Sequence, residues 1–283
     1  MVNASPQTIS IAGKKLSRLG FGSMRFTGRG IWGEPRDRDE CIAVARRAVE
    51  LGVQFIDTAD SYGPHVAEQI LHEALHPYPD DIVIATKAGL TRNGPDVIDT
   101  AAGPRRLGPA AWPPVGRPEY LRQQVLMSMR RLGVDRIDLL QLHRVDPKVP
   151  LADQIGELKA LQDEGKIGAI GMSQCTVEQL DEAREIADIV SVQSRFNVMD
   201  RGAQDMLEVC QRDGLAFIPW RRWPKAGSPR RTKPSPTSPG RTSAPWARWQ
   251  SPGCCTSHRR CFPSLAPRNA RTWKRTWLPP TCS

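Results

Sequence analysis

Hydrophobic residues in this chain alternate between short β-branched runs and longer segments with a helical period. Short apolar runs bounded by Gly, Pro or Asp are typical of buried strands, and apolar positions three or four residues apart indicate amphipathic helices. The pattern predicts seven strands, at Arg18–Ser23, Val53–Ile56, Ile82–Thr86, Ile137–Leu142, Ile167–Gly171, Ile189–Gln193 and Leu215–Pro219. It predicts six helices, at about Asp39–Leu51, Val66–Leu75, Glu119–Leu132, Leu151–Glu164, Val177–Ala187 and Arg201–Arg212.

The alternation of strands and helices indicates repeated βα units around a parallel sheet. An open doubly wound sheet usually has about six strands and a G-x-G-x-x-G turn that joins the first strand directly to its helix, and no such turn follows directly on Arg18–Ser23. We therefore expect an α/β fold of the (β/α)8 TIM barrel type, incomplete because only seven strands and six helices are recognisable. Residues 88–118 form a connection far longer than the usual two to six residues, which favours a functional lid, with a tolerated surface insertion as the alternative.

Four polar side chains follow or close the second, third and fourth predicted strands. Asp57 and Tyr62 come after the second strand, Lys87 closes the third and His143 closes the fourth. In a parallel barrel the C-terminal ends of all strands open on one face, so these side chains are expected to converge. Singly, each also has an ordinary explanation, as a helix cap, a packing aromatic residue, a surface lysine or a core histidine.

These four groups together suit proton transfer to a carbonyl oxygen. A phenol with a pKa near 10 is a poor donor at pH 7, and an ammonium such as that of Lys87 would lower the pKa of Tyr62 toward the working range. A carboxylate such as Asp57 would hold a buried lysine in its charged form. His143 would orient the carbonyl, so that the set protonates an oxygen while hydride arrives at the attached carbon.

The segment Phe55-Ile56-Asp57-Thr58-Ala59-Asp60-Ser61-Tyr62-Gly63, with Lys87 and Leu142-His143, resembles the Asp, Tyr, Lys and His tetrad of the aldo-keto reductases. The resemblance covers residues 8–220 and continues through Arg130-Arg131-Leu132-Gly133-Val134-Asp135-Arg136-Ile137-Asp138-Leu139, Glu164-Gly165-Lys166-Ile167, Gly171-Met172-Ser173 and Val192-Gln193. It implies that Tyr62 is the general acid, that Lys87 and Asp57 tune it, and that His143 positions the carbonyl. It also implies NADP(H) as cofactor, with hydride from C4 of NADPH, and a small-molecule carbonyl substrate.

The same resemblance implies six cofactor-binding residues, which are Gly22, Ser23, Ser173, Gln174, Gln193 and Trp220. The first two match a turn that approaches the cofactor through its backbone. Ser173, Gln174 and Gln193 match residues that hold the nicotinamide carboxamide, and Trp220 stands where an aromatic ring stacks on the nicotinamide. Ordinary loop hydrogen bonding is the alternative for the three polar residues, and core packing is the alternative for Trp220.

The family-like pattern ends at Trp220, and the charge distribution changes at the same point. Residues 221–283, here called the basic tail, hold 14 of the 40 Lys and Arg and none of the 30 Asp and Glu. The net charge of +10 therefore belongs to the tail, and residues 1–220 are mildly acidic. We divide the chain into an aldo-keto-reductase-like barrel at residues 1–220, lacking its last βα units, and a Pro-, Arg- and Trp-rich tail at residues 221–283.

The tail matches neither the last elements of the family nor its binding set for the adenosine 2′-phosphate. Our hypothesis is that it is a frame-shifted reading of a GC-rich coding segment, disordered and without function because it has too few aliphatic residues to offset ordering entropy. Nucleic-acid binding through interleaved Arg and Trp is an alternative for the tail alone. A metal site from Cys254, Cys255, His258 and Cys261 is another, although the paired C-x₂₋₄-C spacing is missing.

The sequence thus predicts an NADPH-dependent oxidoreductase that reduces aldehydes or ketones, impaired by the loss of its C-terminal part. Unpaired edges on the first and seventh strands are expected to lower stability, and cofactor binding is expected to be weak. The alternative is a non-catalytic nicotinamide-binding or regulatory module, or an inactive frame-shifted product. Scattered cysteines at positions 41, 175 and 210 and the absence of a long apolar segment favour a cytoplasmic protein with no membrane partner.

Overall fold

The computed structural model describes residues 8–220 and a two-residue strand at Ser264–Leu265. In these residues the strands are β1 (Thr8–Ile11), β2 (Lys14–Ser17), β3 (Gly20–Gly22), β4 (Phe55–Asp57), β5 (Val83–Ala88), β6 (Val97–Thr100), β7 (Gly103–Arg106), β8 (Ile137–Leu142), β9 (Ile167–Ser173), β10 (Ile189–Arg195), β11 (Ala216–Trp220) and β12 (Ser264–Leu265). The helices are α1 (Arg38–Glu50), α2 (Val66–Leu75), α3 (Pro118–Leu132), α4 (Leu151–Asp163), α5 (Val177–Arg184) and α6 (Gln204–Asp213).

The central sheet has the strand order β11-β10-β9-β8-β5-β4-β3-β12, and every neighbouring pair in it is parallel. Helices α1 to α6 each connect two successive strands of this sheet. The prediction of an incomplete (β/α) barrel is therefore confirmed, and each of the seven predicted strands and six predicted helices is present. The apolar periods that predicted the helices are the buried faces that pack on the sheet, as at Ile70, Leu71 and Ala74 of α2.

One strand lies inside the basic tail, where the sequence predicted none. Ser264 pairs with Gly20 and Leu265 with Phe21, so β12 lies on the edge of β3, and it also lies beside β11. The expectation that β3 has an unpaired edge is wrong, because a sheet edge offers main-chain donors and acceptors to an extended segment whatever its side chains are. The other predictions for the tail, which concern its reading frame, disorder, nucleic-acid binding and cysteine cluster, lie outside the described residues.

The interior of the barrel explains why the site residues point inward. Alternate residues of a strand face the same side of a sheet, and Phe55, Val83, Ala85 and Leu139 share one buried cluster inside the sheet. Continuing that alternation toward the strand ends places Asp57, Lys87 and Gln141 on the same inner face. The β1–β2 hairpin contributes Ile9, Ile11 and Leu16 to this cluster and closes the end of the barrel where the strands begin.

The long connection at residues 88–118 has secondary structure of its own. Strands β6 and β7 form an antiparallel hairpin, and a 3-10 helix covers Gly108–Ala111 before α3 begins at Pro118.

In the described residues no helix is long and apolar enough to cross a membrane.

Candidate active site

Lys87 and Asp57 form a buried ion pair where β5 and β4 end. The Lys87 Nζ atom donates to both carboxylate oxygens of Asp57, at 2.8 and 2.7 Å, and to the Thr58 carbonyl oxygen at 2.7 Å. The side chain of Lys87 has no exposed surface, and that of Asp57 is 8% exposed. A buried ion pair offsets its desolvation cost only when its remaining hydrogen-bonding groups also have partners. Here the ammonium is surrounded by oxygen acceptors.

Tyr62 stands next to this ion pair. Its hydroxyl oxygen accepts from Lys87 Nζ at 3.4 Å, and Nζ lies 5.1 Å from the centre of the phenol ring. The turn after β4 is held in place because the Asp60 backbone N–H donates to the Lys87 carbonyl at 3.2 Å. The phenol is therefore fixed against the ammonium by backbone contacts between neighbouring strand ends.

His143 completes the group in contact with the phenol ring. The His143 and Tyr62 rings meet edge to face, with centroids 5.9 Å apart. Ser61 Oγ lies 3.2 Å from His143 Nδ1, and when this hydroxyl donates to Nδ1 the ring proton resides on Nε2. An Nε2–H group beside the Tyr62 hydroxyl is suited to hold a carbonyl oxygen.

Burial and neighbouring charges set the protonation states of these groups. Burial alone would lower the pKa of Lys87, but the Asp57 carboxylate and the Tyr62 oxygen together outweigh this effect and raise the pKa above its ordinary value, so the ammonium stays charged. Burial lowers the pKa of His143 well below its usual range, and the charges of Lys87, Arg144 and Arg92 lower it further. The imidazole is therefore neutral near pH 7 and acts as a hydrogen-bond donor rather than as a cation.

Two glutamines support Asp57 from below the rim. Gln193 Nε2 donates to Asp57 Oδ1 at 2.8 Å, and Gln141 Nε2 reaches the same oxygen at 3.2 Å. Gln141 is a site residue that the sequence analysis missed, because it lies inside β8 and follows the apolar alternation of that strand. The inward register of β8 is the signal that identifies it.

The residues matched to the nicotinamide carboxamide lie together at the ends of β9 and β10. Ser173 is buried, and its hydroxyl oxygen accepts from Arg144 Nη1 at 3.3 Å. Gln193, also buried, uses its amide nitrogen on Asp57, which leaves its amide oxygen for a donor such as a carboxamide NH₂ group. Both side chains thus have the donor and acceptor capacity that a nicotinamide carboxamide needs.

The side chain of Gln174 contacts Trp220 and the backbone of Arg195. In the amide orientation that satisfies its neighbours, its oxygen accepts from Trp220 Nε1 at 3.0 Å and from the Arg195 backbone N–H at 2.7 Å. Its side chain therefore holds the Trp220 indole in place, and Trp220 remains half-buried at the end of β11. An indole fixed by its N–H and partly exposed at the rim is suited to stack on a planar ring.

Gly22 and Ser23 lie at the end of β3, beside the catalytic candidates. Gly22 pairs with Asp57 in the sheet, and Ser23 begins a 3-10 helix that runs to Arg25. The Ser23 hydroxyl is buried and has no hydrogen-bond partner among the described residues. A buried unpaired hydroxyl at this rim is consistent with a site for a polar ligand.

Two arginines near the site were not identified from the sequence. Arg144 follows His143, and its Nη1 donates to the His143 carbonyl at 2.7 Å. Arg92 belongs to the long connection and donates to the carbonyl of Ser61, next to Tyr62, at 3.0 Å. Arginines in loops lack a periodic signal, so only the tertiary arrangement shows that they border the site.

A surface groove of about 950 Å³ lies away from the strand ends. It is lined on the outer side of the barrel by Glu34, Pro35, Arg36, Arg38, Gln69, His72, Glu73 and Arg131. It contains none of the candidate catalytic groups. The chemistry at the strand ends, rather than groove volume, therefore defines the candidate active site.

Comparison with known proteins places the chain in a family. The model of the Aldo/keto reductase family matches residues 18–257, so the match extends past Trp220 into the tail. The chain belongs to the aldo-keto reductases.

Three relatives show how much of the chain is shared. An uncharacterised oxidoreductase of Schizosaccharomyces pombe is 50% identical over 213 residues, which cover 75% of this chain and 65% of that protein. Pyridoxine 4-dehydrogenase of Escherichia coli is 39% identical over 222 residues, covering 76% of this chain and 73% of that protein. The solved structure of a glycerol dehydrogenase from Gluconobacter oxydans has 31% identity and a TM-score of 0.65, covering 76% of this chain and 63% of that one. The chain thus spans about two thirds of the length of relatives that it matches.

Proposed function

We propose that this chain is an NADPH-dependent oxidoreductase that reduces aldehydes or ketones to alcohols, with Asp57, Tyr62, Lys87 and His143 as its catalytic residues. The observation that carries the proposal is the Lys87 ammonium held between the Asp57 carboxylate and the Tyr62 hydroxyl, with a neutral imidazole in contact with the phenol ring. This arrangement offers one proton donor and one orienting donor to the same oxygen.

The chain's own residues divide the work of carbonyl reduction. Bound NADPH would supply the hydride that is added to the carbonyl carbon. His143 holds the carbonyl oxygen through Nε2–H, and the Tyr62 hydroxyl gives its proton to that oxygen, so the product is an alcohol. Lys87 stabilises the phenolate that remains on Tyr62, and Asp57 keeps Lys87 charged until solvent returns the proton.

Support for the cofactor comes from the residues at the ends of β3, β9, β10 and β11. We assign the carboxamide to Ser173, Gln174 and Gln193 and the stacking face to Trp220, whose indole the Gln174 side chain also positions. Gly22 and Ser23 would approach from the β3 side. The residues that would bind the adenosine 2′-phosphate have no match in the tail, so we expect the affinity for NADPH to be low.

The division of the chain remains part of this proposal. Residues 1–220 would carry the catalytic site, and the tail would contribute little to the chemistry. The lack of a recognisable 2′-phosphate binding set in the tail also favours a second candidate, a nicotinamide-binding or regulatory module without turnover.

The test is an NADPH oxidation assay on the full chain against a panel of carbonyl compounds, with a melting curve of the same sample. Pyridoxal and glyceraldehyde belong in the panel because two relatives are named for the corresponding alcohols. We expect slow turnover that is abolished in Tyr62→Phe, while quenching of tryptophan emission by NADPH is retained. Quenching by NADPH without turnover in the parent chain would favour the non-catalytic module, and a folded chain with neither would contradict both candidates.

A further inference from the structure

Arg144 is a cation at the mouth of the site that the catalytic scheme does not use. It follows His143 after β8 and is only partly exposed. Its Nη1 atom donates to the His143 carbonyl at 2.7 Å and to Ser173 Oγ at 3.3 Å. Among the described residues, its Nε and Nη2 groups have no hydrogen-bond acceptor and no carboxylate pairs with it. The Nε and Nη2 groups of Arg144 are therefore available to a ligand, and they lie between His143, assigned to the substrate, and Ser173, assigned to the cofactor.

The charge around this fork is positive and uncompensated. The Asp57 carboxylate is engaged by Lys87, Gln141 and Gln193. Arg92 is the second cation of the rim. Its guanidinium donates hydrogen bonds to backbone carbonyls, which are those of Gly30, Ile31, Ser61, Gly94 and Ala111. These carbonyls carry no formal charge, and Asp96, the carboxylate that acts on Arg92, is paired with Arg106. The two arginines near His143 therefore form no ion pair of their own among the described residues.

Removal from water makes this surplus charge significant. Burial lowers the pKa of Arg144, whereas the nearby Tyr62 oxygen acts to raise it. The same two arginines contribute to the low pKa of His143. A partly buried cation without a partner is stabilised by any anion that reaches it, and a guanidinium binds carboxylates and phosphates through paired hydrogen bonds.

We propose that Arg144 is a specificity-determining residue that selects carbonyl substrates bearing an anionic oxygen group, a carboxylate or a phosphate, near the reacting carbon. The inference rests on the proposed function in one respect, because it takes the reacting carbonyl to lie between Tyr62 and His143. From there the anionic group extends along the rim toward Ser173 and meets the free edge of the guanidinium.

Matched substrates separate charge recognition from general damage. Succinic semialdehyde and its methyl ester differ by one negative charge, and glyceraldehyde 3-phosphate and glyceraldehyde form the phosphate pair. In Arg144→Met we expect kcat/KM to fall by about tenfold or more for the charged member of the preferred pair, because a charge-assisted hydrogen bond is lost, and to change less than about twofold for the neutral member. The pair with the larger loss identifies the anion.

Two further variants serve as controls. Arg144→Lys keeps the charge without the planar fork and should show an intermediate loss. Arg117→Met removes an arginine whose side chain is 72% exposed. It should leave kcat/KM unchanged for the charged and the neutral member of each substrate pair. Equal losses for charged and neutral substrates in Arg144→Met would overturn the proposal, and weaker quenching by NADPH in the same variant would assign Arg144 to the cofactor instead.

A binding measurement decides the inference even when the chain has no turnover. The full chain is titrated with succinic semialdehyde and with its methyl ester, and tryptophan emission is followed while melting curves confirm folding. Saturable binding of the carboxylate that is stronger than that of the ester, and lost in Arg144→Met, supports the inference independently of catalysis. The phosphate pair is titrated in the same way, and no preference for either anion in the parent chain overturns the inference while leaving the reductase proposal untouched.

Discussion

Two opposing effects act on the phenol of Tyr62. Burial raises its pKa, and the Lys87 ammonium acts to lower it. The effect of burial is larger, so the pKa of Tyr62 stays above its ordinary value. The sequence predicted the direction of the lysine effect but not the net result, because the loss of water around a buried phenol is invisible in a motif. Tyr62 therefore keeps its proton throughout the neutral range and releases it only when a basic oxygen is held against it.

At the same residues, Lys87→Met is expected to damage both activity and stability. Turnover should fall by about 10² to 10⁴, because the phenolate left on Tyr62 loses its stabilising charge. The free energy of unfolding should fall by about 3 to 5 kcal/mol, because Asp57 becomes a buried carboxylate without a counter-ion. Steady-state kinetics and urea unfolding measure the two effects. In Asp57→Asn/Lys87→Met stability should largely return without activity, and a double variant as unstable as the single one would contradict the ion-pair explanation.

Asp60 predicts a pH dependence of stability. Its side chain is buried, and neither carboxyl oxygen has a hydrogen-bond partner of good geometry among the described residues, although the adjacent Ser61 acts to lower its pKa. Burial raises the pKa of Asp60 well above its ordinary value, and the Glu68 carboxylate adds to the rise. The folded chain thus keeps this proton to a higher pH than the unfolded chain. The group's contribution is fully present below the unfolded pKa of about 4 and is lost as the pH rises through the folded pKa.

Urea unfolding between pH 4 and 8 tests this dependence. In the parent chain, Asp60 should lower the free energy of unfolding by up to about 1.4 kcal/mol per pH unit over that window. Asp60→Asn does not titrate, so its stability relative to the parent should increase with pH. Exposed Asp135 provides the control, since Asp135→Asn should run parallel to the parent. A constant difference between Asp60→Asn and the parent would show that Asp60 titrates normally.

At the scale of elements, Arg92 joins three segments around the site. Its guanidinium bonds the carbonyls of Ile31, Ser61 and Ala111 and stacks on Trp112, with 3.5 Å between Cζ and the ring centre. The long connection at residues 88–118 is thereby fixed to the turn that carries Tyr62. Burial lowers the pKa of Arg92 to about 10, so the cation persists at neutral pH.

Arg92→Lys should loosen this connection while leaving the barrel folded. A lysine keeps the charge but replaces five donors in a plane with one ammonium, so several backbone carbonyls lose their partner. Hydrogen exchange of residues 89–116 should accelerate, and KM should rise more than kcat falls. The melting temperature should move by only a few degrees. Exchange that is unchanged in these residues would show that the connection is held by its hairpin alone.

The comparison of sequence and structure differs between elements. Ile137–Leu142 and Val66–Leu75 were predicted with their observed bounds because buried strands and amphipathic helices leave a period in the sequence. The hairpins β1–β2 and β6–β7 were not predicted, since strands of four residues are too short to establish a period, and β2 and β7 also contain Lys or Pro. Strand-end positions identified the four candidate catalytic residues, whereas Ser61 and Arg92 act through contacts between segments far apart in the sequence.

For the whole molecule, the position of β12 implies that the tail contributes to the sheet. A chain that ends at Trp220 loses the strand that pairs with β3, so it should melt at a lower temperature and aggregate faster than the full chain. Differential scanning fluorimetry and light scattering at equal concentrations measure both effects. Identical behaviour of the two chains would mean that the pairing at Ser264–Leu265 adds nothing to stability.

The strength of strand pairing is uneven along the sheet. β3 shares two residue pairs with β12 and two with β4, whereas β8 and β9 share five. Local opening follows the place with the fewest interactions to break, so the sheet should open first on the two sides of β3. Thermal fluctuations should therefore separate β3 from its neighbours while β8 and β9 stay paired, and the rim that carries Gly22 beside Asp57 would move before any other part of the site.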